Sequence, residues 1–148
     1  MGCCASKDVL SQELAAAFSA LDDGLAAALA AGHIALLDAR QLRSGSISSL
    51  VRRQDLPASS FLTPSQAVAA LRSARRKVCF VSHAWRTVVS PDPDGATLAA
   101  VVRYLQSPLG LHVLGVFFDV ASLHQHPRTA EQDAGFKAAL KVRSVSFS

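Results

Sequence analysis

Residues 77–85, KVCFVSHAW, and residues 112–119, HVLGVFFD, are the stretches on which the fold turns. Each holds a short β-branched and aromatic run that gives way at once to polar residues, the composition of a strand buried on both faces of a sheet. Between them PDPDG, residues 91–95, reads as a loop, and Leu98, Val101, Val102 and Leu105 then recur at helical spacing. Asp94 is placed to cap that helix, and Pro108 with Gly110 breaks the chain before the second run. Strand starts separated by roughly 30 residues suit a right-handed parallel crossover. A helix is expected before the first strand, because Thr63, Pro64 and Gln66 form a capping box with proline at the first helical position. Thr129 and Gln132 repeat that spacing after the second strand and its loop VASLHQHPR. The pattern predicts an α/β domain with a parallel βαβα unit. In such sheets ligands bind beyond the carboxyl ends of the strands, which here bear Ser82, His83, Trp85, Asp119, Ser122, His124 and Gln125.

Working toward the N-terminus, residues 40–77 hold eight cations against one anion, Asp55, and the part RSGSISSLVRRQDLPASS is rich in Ser and turn formers. Residues 40–62 therefore read as a basic, Ser-rich linker. Ahead of it, Leu10, Leu14, Phe18, Leu21, Leu25 and Leu29 keep to one helical face. This stripe predicts an amphipathic helix with Asp8 near its start and Gly32 at its end, packed on a core or a partner. Its opposite face is mostly Ala, unlike the basic face of an interfacial helix.

The first eight residues, MGCCASKD, read as an address. Removal of Met1 exposes the Gly2 amine, and Gly2 with Ser6 fits the pattern of N-myristoylation. One myristoyl chain binds a bilayer only marginally, with K on the order of 10⁴ M⁻¹. Cys3 and Cys4 supply the second signal as sites of S-palmitoylation. The start resembles the dual-acylation leaders of Src-family kinases and plant calcineurin-B-like proteins. The expected location is the cytosolic face of a membrane, the plasma membrane first, with the bilayer as partner through the acyl chains.

Composition supports a folded domain at that address. Half of the 148 residues are apolar and the formal net charge is +4. The longest uncharged apolar stretch, residues 25–37, falls short of the roughly 20 residues of a membrane span. Three cysteines, two of them adjacent at the terminus, make no disulfide framework. Lys and Arg near a lipidated terminus add attraction to an anionic leaflet. No aromatic stacking platform accompanies them, so nucleic acid is not an expected partner.

CFVSHAW, PDPDG, VFFDVASLHQ, PRT and FKAAL together resemble a TIR-like family (Toll/interleukin-1 receptor-like, near heterokaryon-incompatibility domains) over about residues 78–140. The resemblance implies a flavodoxin-like parallel sheet with helices on both faces. It also implies that Ser82, His83 and Trp85 lie in the loop after the first strand, and Asp119, Ser122 and Gln125 in the loop after the second. Such domains assemble with each other, and some cleave NAD using a glutamate beyond the second βα unit. The chain reaches Ser148 soon after that unit, so the sheet is expected to be partial unless the N-terminal half completes it. Glu131, in the first turn of a helix, is explained by the helix dipole and not as that glutamate.

Other chemistry finds less support in the sequence. His124 and His126 flank Gln125 without a structural-zinc pattern. Ser82, His83 and Asp119 lack a nucleophile elbow. Asp119 reads as a carboxylate that orders its loop, and Trp85 as a packing residue or interface anchor. No cofactor or metal is expected. The organisation is then an acylated leader (1–8), an amphipathic helical region (9–39), a basic linker (40–62) and a truncated TIR-like α/β segment (63–148). The expected function is that of a membrane-anchored, non-catalytic signalling protein whose α/β segment binds other proteins or itself. A nucleotide-processing enzyme acting on NAD is the alternative from the resemblance, and a truncated, inactive gene product is another.

Overall fold

The computed structural model describes residues 5–82, 87 and 90–144. Along them follow α1 (Ala5–Ala30), β1 (Leu37–Asp38), α2 (Ala39–Arg43), α3 (Pro64–Arg72), β2 (Val78–Val81), α4 (Ala96–Gln106), β3 (Gly115–Phe118), α5 (Asp119–Ser122) and α6 (Ala130–Ser144). The protein is a mixed α/β domain built on a three-stranded sheet of order β1-β3-β2. β2 and β3 are parallel, with Val78 opposite Gly115 and Val81 opposite Phe118, and α4 makes the crossover between them. β1 comes from the N-terminal half and runs antiparallel to β3, Leu37 opposite Val116. Among the described residues the sheet is therefore mixed and not wholly parallel.

Local chemistry fixes the helix ends. Thr63 Oγ1 accepts from Gln66 N at 3.2 Å while Gln66 Oε1 accepts from Thr63 N at 3.0 Å, both halves of a capping box with Pro64 opening α3. Thr129 and Gln132 repeat the exchange at 3.0 and 3.2 Å ahead of α6. α1 ends in a Schellman turn: Gly32, at φ +75°, donates to Leu29 O and His33 donates to Ala28 O. At the start of α4 Asp94 accepts from Ala96 N at 3.2 Å, and the buried Asp92 accepts from Thr97 and Leu98 N at 3.0 and 2.9 Å.

Two apolar layers sandwich the sheet. On one face Leu42, Leu98, Leu105, Val116 and Phe118 form a buried cluster against which Cys79 and Val81 pack. On the other, Ala26, Leu29, Leu36, Ala67 and Leu71 form a second cluster, with Leu25, Val78 and Phe117 at its margin. Of the α1 stripe, Leu21 and Leu25 are half-buried and Leu29 is buried. The side chains of Leu10, Leu14 and Phe18 lie outside the described part.

Two expectations change. β2 is not buried on both faces, because it is an edge strand and the α1/α3 layer covers Val78 but leaves Phe80 half exposed beside Phe117, ring centroids 5.4 Å apart. The stretch read as a linker is structured. It holds α2 and two 3₁₀ turns, and Leu42, Ile47 and Leu50 are buried in the first cluster. Apolar residues spaced irregularly among Ser and Arg pack there without showing a period.

Candidate functional site

The strand register sets Ser82 and Asp119 side by side beyond the ends of β2 and β3. Ser82 is exposed and Asp119 half-buried at the start of α5. Asp119 Oδ1 accepts from Val120 N at 2.7 Å, the loop-ordering use of a carboxylate. Ser122 is fully buried, and its Oγ accepts from Phe118 N at 3.0 Å, which closes the four-residue helix back on the strand. Gln125 Nε2 donates to Asp119 O and Leu123 O, both at 3.0 Å. The structure thus brings Asp119, Ser122 and Gln125 into one hydrogen-bonded turn. His83 and Trp85 lie outside the described residues, as do Gly2, Cys3 and Cys4.

The turn is clamped by a segment whose sequence gave no functional signal. In the 3₁₀ turn Arg53–Asp55, Gln54 Oε1 accepts from Gln125 N at 3.1 Å, and Gln54 Nε2 donates to Gln125 O and, at 3.3 Å, to Pro127 O. Beside it Arg53 donates to Gly32 O at 2.8 Å, to His33 O at 3.1 Å and to Ser122 O at 3.4 Å, tying the end of α1 to the end of α5. Burial lowers the pKa of Arg53 from its ordinary value. Arg52 pairs with Asp55 at 2.8 Å and donates to His126 O at 3.0 Å. From the other side Arg128 donates to His124 O, pairs with Asp133 at 3.2 Å and stacks 3.9 Å over the Phe136 ring. In the sequence Gln54 is indistinguishable from an ordinary surface residue, because the Gln125 it binds is about seventy residues away.

His124 sits in the middle of these cations. Burial, then the charges of Arg53 and Arg128, push its pKa below the ordinary histidine value. Its imidazole is therefore neutral at pH 7, and its buried Nδ1 has no hydrogen-bond partner among the described residues. No group of three or more His, Cys, Asp or Glu side chains among the described residues is arranged to hold a metal ion. Cys79 lies on the α4 face of the sheet, and burial raises its thiol pKa, so the thiol stays protonated.

A hollow of about 300 Å³ lies on the far side of Arg53, lined mainly by Leu29, Ile34, Phe61, Leu62 and Ala67. A shallower groove of about 450 Å³ runs between α2 and α4. Neither is lined by Ser82, Asp119, Ser122 or Gln125. No family model, curated protein or solved structure matches the chain.

Proposed function

We propose that this protein is a membrane-anchored, non-catalytic signalling or interaction protein, held by acyl chains on Gly2, Cys3 and Cys4 and presenting a TIR-like α/β module to protein partners or to a second copy. What carries the non-catalytic half is the engagement of the polar groups beyond β3. The Ser122 hydroxyl and the Gln125 amide each bind backbone within the same turn. A group already holding its own loop together is a poor nucleophile or proton carrier, whereas a braced loop is a good recognition surface. The parallel β2-α4-β3 unit supports kinship with a flavodoxin-like module, and the antiparallel β1 departs from that pattern. Anchoring rests on the leader sequence.

The test has two arms. Gly2→Ala blocks myristoylation, so the protein is expected to move from the membrane to the cytosolic fraction, while Cys3→Ser with Cys4→Ser leaves weak, reversible attachment. Membrane fractionation that is unchanged by Gly2→Ala refutes the anchor. The purified protein is expected to leave NAD intact. Nicotinamide release above a heat-killed control, lost in Asp119→Asn, refutes the non-catalytic reading in favour of the nucleotide-processing one.

A further inference from the structure

Four of the large apolar side chains that face solvent lie within eleven residues of one another at the α4–β3 connection. Leu109 is 76 % exposed, Leu111 59 %, Tyr104 41 % and Leu114 40 %. Exposed leucines are ordinary when scattered and informative when contiguous. Here four fall in one short segment and, more unusually, they are rigidly presented. The Arg43 guanidinium reaches from α2 to donate to Leu105 O, Gly110 O and Val113 O at 2.9 Å and to Leu111 O at 3.3 Å. Gly110 N and Leu111 N both donate to Ser107 O, and Leu114 N donates to Lys77 O at 2.8 Å. At Gly110 the fit is so close that a Cβ would lie 2.1 Å from Tyr104 O. The loop thus holds its leucines outward against a tight backbone frame, with no collapse onto the core.

The charge around the loop is predominantly positive. The buried Asp38 beside it pairs with Arg40 at 2.8 Å and also feels the charge of Arg43, while Arg43, Lys77 and Arg103 flank the loop with none of the three within ion-pair distance of a carboxylate among the described residues. Leucines at a tip, a tyrosine at the waist and unpaired cations behind are the composition of a segment that sits at the boundary of an anionic bilayer. The tip lies on the side toward which the N-terminal part of α1 runs. Asp22 and Asp23 pair with Arg76 and Arg72 just before β2 starts, and Gly24 abuts Val142. Ala35, just after α1, donates to Ser122 O beyond the end of β3, and His33 abuts Gly135. α1 therefore runs from the end of the sheet where β2 and β3 begin toward the end where they finish. Its earlier residues project past the starting end, which is also the end that bears the α4–β3 loop.

We infer that the loop of residues 107–114, with Leu109 and Leu111 at its tip and Arg43, Lys77 and Arg103 behind it, is a second membrane contact that inserts into the interface of an anionic leaflet. The choice of a bilayer over a protein rests on the acylated-anchor reading, and the experiment keeps the two apart by using unacylated protein. Gly2→Ala protein made in bacteria is sedimented with phosphatidylcholine vesicles containing phosphatidylserine, and with vesicles of phosphatidylcholine alone. Binding is expected to require phosphatidylserine, to weaken with added salt, and to fall about tenfold in Leu109→Ser/Leu111→Ser. Both leucines are exposed, so the variant is expected to melt with its parent, and Arg103→Gln gives an independent, milder loss. Equal sedimentation of parent and double variant overturns the inference, as does a parent that ignores both vesicles. A concentration-dependent dimer that the double variant abolishes, with no vesicle binding, overturns it in favour of a second copy as occupant. None of these outcomes alters the Gly2→Ala fractionation result, so the two readings fail separately.

Discussion

Replacing Arg43 by Met removes the guanidinium and keeps most of the aliphatic stem that packs beside α4. Three donated bonds at 2.9 Å disappear with it, to Leu105 O, Gly110 O and Val113 O. Bonds from a charged donor can be worth more, but Arg43 is only half-buried, so the ordinary net value of about 1 kcal/mol each is the fair one. The sum is about 3 kcal/mol, a large part of the roughly 5 to 15 kcal/mol that holds a domain together. For a chain of this size that corresponds to a fall in Tm of roughly 6 to 12 °C. Arg43→Lys is expected to recover little, because one compact ammonium cannot reach carbonyls spread along a whole loop. Since the three acceptors are neutral, that part of the loss should be nearly the same at low and high salt, and only the longer-range attraction between Arg43 and Asp38 should be screened. Urea unfolding followed by circular dichroism measures it. An Arg43→Met protein within about 0.5 kcal/mol of the parent, the range of an ordinary surface change, refutes the claim that this side chain frames the loop.

Two further outcomes follow from the turn and its neighbours. The folded state holds His124 below its ordinary pKa, so the unfolded chain binds more protons between the two values; stability should be highest above about pH 6.5 and decline as pH falls below it, a decline that urea titrations of His124→Gln should lack. Thr63→Ala removes the oxygen that takes the Gln66 N–H and should cost about 1 kcal/mol in the same assay, whereas Thr63→Ser should be close to neutral.

How far the sequence discloses this fold depends on whether each element carries its own signal. β2, α3, α4, β3 and α6 do: two apolar runs, two capping boxes and a helical period of leucines and valines are local, and the structure has each where its residues call for it. β1 does not. Leu37 and Asp38 are two residues, too few to show a period of two, and they become a strand only because Val116 and Gly115 lie opposite. α2 and α5 are helices of five and four residues, too short to show a helical period, although their capping contacts, Arg40 N to Asp38 and Phe118 N to Ser122, are local. The candidate site divides in the same way. Asp119, Ser122 and Gln125 were legible as strand-end residues, but their clamp is supplied by Gln54 and Arg53, which are about seventy residues away.

The arginines show why composition alone misleads about charge. In the sequence the cations of residues 40–77 form one basic block that suggests a single electrostatic surface. In the structure they separate by partner. Arg40, Arg52, Arg72 and Arg76 each face a carboxylate, at 2.8 to 3.1 Å. Such pairs act at a distance as dipoles, and salt screens what remains of them. Arg43 and Arg53 instead bind carbonyl oxygens, which satisfy their N–H groups without cancelling their charge. They also sit at opposite ends of the sheet: Arg53 beside Ser122 past the end of β3, and Arg43 beside Val113 before its start. The long-range field is therefore set by a few residues and by where they lie, more than by the block as a whole. Arg43 shares its end with Lys77, Arg103 and the exposed leucines, so that a bilayer approaching there meets apolar surface and unpaired positive charge together.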